Sequence, residues 1–83
     1  MTSYEKYGLL DRIWLKVIDY STRTYSLPRV CNEVSKMLQD LGYRTEIIGN
    51  NRDYRILKVD DQPFRIIREK GWSKYDVRMM DEQ

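Results

Sequence analysis

Few side chains in this 83-residue sequence combine a reactive type with a suggestive placement: the thiol of Cys31, the adjacent carboxylates Asp60 and Asp61, and the neighbours Glu69 and Lys70. A cysteine nucleophile needs a base and an oxyanion site, and the sequence contains no histidine to act as that base. Cys31 stands near the start of an expected helix, beside Arg29, where a thiol's pKa could fall. Without a base it reads instead as a buried, inert side chain. Asp60 and Asp61 adjoin, so their carboxylates diverge and lack the further ligands that calcium or a two-metal site requires. Asp61, Glu69 and Lys70 approach a nuclease-like set, but Glu69 and Lys70 are neighbours and the acid–x–lysine spacing is missing. One cysteine can form neither an internal disulfide nor a structural zinc site. No dinucleotide, phosphate-loop or nucleophile-elbow motif occurs. The expectation is a non-catalytic protein with no metal and no cofactor.

Binding chemistry is better represented. Arg44, Arg55 and Arg65 each fall at the second residue of an expected strand. Arginine offers a planar fork to carboxylate or phosphate, and nearby aromatic and aliphatic side chains add burial. If Tyr43, Thr45, Ile47, Phe64 and Ile66 face the core, the opposite face of the outer strands carries Arg44, Glu46, Ile48, Arg65, Ile67 and Glu69. The middle strand joins that face through either Tyr54, Ile56 and Lys58 or Arg55, Leu57 and Val59, according to register. Trp72 follows Gly71 in a polar turn, as a lid on the sheet edge or an exposed anchor. Arg44, Arg55, Arg65, Ile67, Trp72 and Tyr75 are therefore the candidate partner-binding residues. The competing reading is a wet sheet face whose long charged side chains pair across strands and bind nothing. Tyr4, Tyr7, Tyr20 and Tyr25 gather on or near the first helix, as interface anchors or as padding at the ends of a thin core.

The elements that would position these residues follow from periodicity. Leu9, Leu10, Ile13, Trp14, Val17 and Ile18 keep helical spacing, predicting a helix over about 4–22 with Trp14 in the core. Pro28 suits a first helical turn, Val30, Val34, Met37, Leu38 and Leu41 continue the period, and Gly42 suits the C-terminal cap; the second helix spans about 28–41. After Gly42 the period changes to two. Strands over about 43–48, 54–59 and 64–69, separated by Gly49–Asp53 and Asp60–Pro63, predict an antiparallel meander. Residues 74–80 fit either a fourth strand, which Tyr75 and Val77 favour, or a short helix opened by Ser73. The fold class is α+β, one domain in which a two-helix hairpin packs on a three- to four-stranded antiparallel sheet.

Composition sets the outer limits. The chain supports one thin core, stabilising by roughly 3–5 kcal/mol without staples. Charged residues make up 34% and the net charge is +2, too balanced to indicate nucleic acid by itself. Residues 43–78 are the more basic half, with nine basic against six acidic side chains. No signal peptide or membrane span is expected, and a tiny domain without disulfides suits a reducing, cytoplasmic setting. The leading expectation is a protein-binding domain, a small regulator or inhibitor that occludes a partner's surface. A second is a nucleic-acid-binding module using the arginine-bearing sheet; helix followed by meander resembles double-stranded RNA-binding architecture in outline, without the basic helix start of such domains. A third is a homo-oligomer formed through the wide apolar stripe of the first helix.

Overall fold

The computed structural model describes residues 1–23, 25–69 and 75–80. Helix α1 spans Ser3–Thr22 and α2 spans Leu27–Asp40. Strands β1 (Thr45–Ile48), β2 (Tyr54–Val59), β3 (Gln62–Arg68) and β4 (Tyr75–Met79) form one antiparallel sheet in the order β1-β2-β3-β4. The hairpin-on-meander architecture is as the sequence predicts, with 75–79 a strand.

Local chemistry accounts for the helix boundaries. Thr2 caps α1, its Oγ1 accepting from the Glu5 N–H at 3.2 Å, with the Glu5 carboxylate in the first turn. At the far end the hydroxyls of Ser21 and Thr22 donate to the carbonyls of Ile18 and Asp19 in the last turns. Helix α2 starts with Pro28 in its first turn. It ends in a Schellman motif: Tyr43 N–H donates to Leu38 C=O at 3.0 Å, Gly42 N–H to Gln39 C=O at 2.9 Å, and Gly42 has φ +96°.

Both helices lie on one face of the sheet, α1 over β4 and α2 over β1 and β2. The core joins Leu9, Ile13 and Val17 of α1, Leu27, Val30, Cys31, Val34 and Leu38 of α2, and Leu57, Val59, Phe64, Ile66 and Val77 of the sheet. Trp14 departs from expectation: it is 43% exposed, as Leu15 is 63% exposed. β4 and α2 cover the Leu9–Ile13–Val17 side of α1. Its neighbouring stripe stays at the surface with Tyr4 and Tyr7. Tyr20 and Tyr25 behave differently, stacking with centroids 5.4 Å apart while the Arg29 guanidinium lies over the Tyr25 ring.

The turn between β2 and β3 is shorter than expected. Asp60, with φ +51°, and Asp61 alone form it, so Val59 pairs directly with Gln62 and Pro63 belongs to β3. Among the described residues no helix is long and apolar enough to cross a membrane.

Candidate functional site

The β2–β3 register decides the composition of the sheet's outer face. Leu57 pairs with Phe64 and Arg55 with Ile66, which turns Leu57, Val59, Phe64 and Ile66 toward the helices. Tyr54, Ile56 and Lys58 therefore join Arg65 and Ile67 on the opposite face. Glu46 and Ile48 of β1 and Asp76 and Arg78 of β4 complete it. No described element lies over this face, although Ile48, Ile56, Pro63 and Ile67 are apolar. Ile48 is 41% exposed; the other three are half-buried by their neighbours.

Arg65 is at the centre of this surface. Its guanidinium carbon sits 4.9 Å from the Tyr54 ring centroid, and Ile56 is its cross-strand neighbour. Its Nε is buried and has no hydrogen-bond partner among the described residues. A buried donor left without an acceptor costs about 1–3 kcal/mol, and more when it is charged. Directly across β3–β4, Arg65 also faces Arg78, a like-charge pair that is unfavourable unless an anion lies nearby. Arg78 is bridged to Asp76, Nε to Oδ2 at 3.3 Å, and Lys58 stands opposite Glu46, so both have local counter-charges. Among the described residues, the Arg65 guanidinium is set against the tyrosine ring alone.

The structure divides the six sequence-derived candidates. Arg65 and Ile67 share the outer face, and Arg44, just before β1, lies at its margin by alternation. Arg55 does not join them. It points to the helix side, where its Nη1 donates to the Tyr54 carbonyl at 3.2 Å and its charge acts on Cys31. Tyr75 is also on the helix side; its hydroxyl donates to the Tyr25 carbonyl at 2.7 Å, tying β4 to the α1–α2 connection. Trp72 lies outside the described residues. Sequence reasoning left Tyr54, Ile56 and Lys58 as one of two options and did not name Pro63 or Arg78. A two-residue Asp60–Asp61 turn selects the correct option, whereas a turn that takes in Pro63 leaves both open.

The groups considered for catalysis are elsewhere. Cys31 is fully buried, and burial pushes its thiol up to about 11, a rise that the nearby Arg55 charge only partly offsets. Asp60 and Asp61 sit in the hairpin turn, where Asp60 Oδ1 accepts from the Arg44 N–H at 3.0 Å. Among the described residues no group of three or more His, Cys, Asp or Glu side chains could hold a metal ion. No protein-family model, curated protein or solved structure matches this chain.

Proposed function

We propose that this chain is a non-catalytic protein-binding domain, a small regulator or inhibitor that works by occluding a partner's surface, and that the uncovered face of its sheet is the docking surface. The observation that carries this reading is Arg65, a cation whose buried Nε has no partner among the described residues, stacked on Tyr54 and set among Ile48, Ile56, Pro63 and Ile67. An apolar face around one arginine matches the composition of energetically dominant interface centres, where aromatic and arginine anchors are ringed by apolar contacts. The matching partner is a protein surface that offers a carboxylate between apolar side chains. That carboxylate would meet the Arg65 guanidinium. The absence of histidine and the burial of Cys31 support a non-catalytic role, and the single thiol fits a reducing compartment such as the cytoplasm.

The experiment is site-specific photo-crosslinking from position 56 or 67 in cells, followed by reconstitution with the purified captured protein. Arg65→Ala and Ile67→Asp should each weaken the reconstituted complex by roughly tenfold or more while the domain stays folded. Undiminished affinity in both variants would remove the sheet face as the site. The nucleic-acid alternative predicts retention on a duplex that falls steeply with salt and depends on Arg65 and Arg78.

A further inference from the structure

Strand β1 is an edge of the sheet, and the hydrogen bonds beside it show which backbone groups face outward. Asp60 N–H donates to the Arg44 carbonyl at 2.8 Å, and Arg44 N–H donates to the Asp60 carboxylate, so both backbone groups of Arg44 point toward β2. Antiparallel pairing alternates. Glu46 and Ile48 therefore also face β2, while Thr45 and Ile47 turn their N–H and C=O groups to the open edge, where no described backbone group bonds them. The opposite edge differs. On β4 the outward Val77 N–H is already occupied by the Asp76 carboxylate at 2.9 Å, a local plug against strand addition.

We propose that the open edge of β1 pairs antiparallel with β1 of a second copy, joining two four-stranded sheets into one of eight strands about a two-fold axis at Thr45. Charge selects this occupant and register. With Thr45 opposite the partner's Thr45, Arg44 stands opposite the partner's Glu46 and Glu46 opposite the partner's Arg44. The result is two symmetric cross-strand ion pairs on the outer face. Centring the pair on Glu46 would oppose two glutamates, and centring it on Ile47 would set Glu46 against isoleucine. In the Thr45 register the two Thr45 residues exchange backbone bonds, and each Ile47 N–H meets the partner's Tyr43 carbonyl. The Tyr43 N–H is already bonded to Leu38 within its own chain. The half-buried Tyr43 and Ile47 side chains then cover each other on the helix side. The seam is short, so the dimer dissociates on dilution.

The test is sedimentation equilibrium of the full chain across micromolar to millimolar concentration, with amide exchange read at both ends of that range. Wild type should approach twice the 10.1 kDa protomer mass, and the Thr45 and Ile47 amides should gain protection as it does. Glu46→Arg and Arg44→Glu should each weaken association by about tenfold or more, since the two-fold axis counts every change twice. The double swap Arg44→Glu with Glu46→Arg restores opposite pairing and should recover the dimer. These side chains are exposed, and circular dichroism checks that the variants remain folded. A chain that stays monomeric throughout, or a dimer unmoved by both single reversals or not recovered by the double swap, overturns the proposal. So does a dimer that Trp14→Glu abolishes while Glu46→Arg leaves it intact, because the α1 stripe would then be the interface.

Discussion

The side-chain amide of Gln62 donates to the Met80 carbonyl at 2.8 Å, supplying the hydrogen bond that the next residue, Pro63, cannot make. In this register position 63 faces 80 across β3–β4. Pro63 accepts from the Met80 N–H at 3.0 Å but has no N–H to return. The same amide nitrogen lies 3.0 Å from the Pro63 carbonyl, so one buried glutamine completes the ladder around a proline.

Gln62→Ala should therefore destabilise the fold by about 1–3 kcal/mol, since it leaves the Met80 carbonyl without its donor. Adding Pro63→Ala in that background restores a backbone N–H at the ladder and should recover part of the loss. Urea denaturation of the two variants checks this, and additive destabilisation would refute the substitution of side chain for backbone.

The bond from Tyr75 to the Tyr25 carbonyl ties the last strand to the α1–α2 connection across fifty positions of sequence. Tyr75→Phe should lower stability by roughly 1 kcal/mol and leave binding at the sheet's outer face unchanged, because the ring lies on the helix side. Thermal unfolding together with the reconstituted binding assay separates those two effects.

Cys31 makes a pH prediction with a definite sign. Its folded pKa, about 11, lies above its ordinary 9.0, so the folded chain holds the thiol proton more tightly. That contribution to stability is complete below pH 9 and is lost as pH climbs toward about 11. Denaturant midpoints should fall over this window by more in wild type than in Cys31→Ala. The native thiol should alkylate far more slowly at pH 8 than the denatured one.

Within α1, two neighbouring large residues should respond very differently to truncation. Ile13 is fully buried, and Ile13→Ala should cost about 2–5 kcal/mol through lost burial and a cavity. Trp14, at 43% exposure, should cost distinctly less when changed to alanine despite its larger side chain. Chemical denaturation of both variants gives the comparison, and an equal or larger loss at Trp14 would contradict its placement.

Much of this protein was legible from local chemistry. The 3.6-residue period marked both helices, Pro28 and Gly42 marked the start and end of α2, and the change to period two announced the strands. Those signals are local, carried by residues within one or two turns of each other, so no tertiary information was needed to read them. The absence of histidine and the solitary thiol are likewise compositional. Tertiary structure decided what depends on pairing distant segments. Register placed Arg55 behind the sheet and Tyr54, Ile56 and Lys58 in front of it, because one residue of slip exchanges the faces of a strand. The limited area of four strands and one helix left Trp14 at the surface, although its spacing matches that of Leu9 and Ile13. The surroundings of Arg65 were equally non-local: its cross-strand neighbours come from β2 and β4, and only their assembly produced a cation on an open apolar face whose buried Nε has no partner among the described residues.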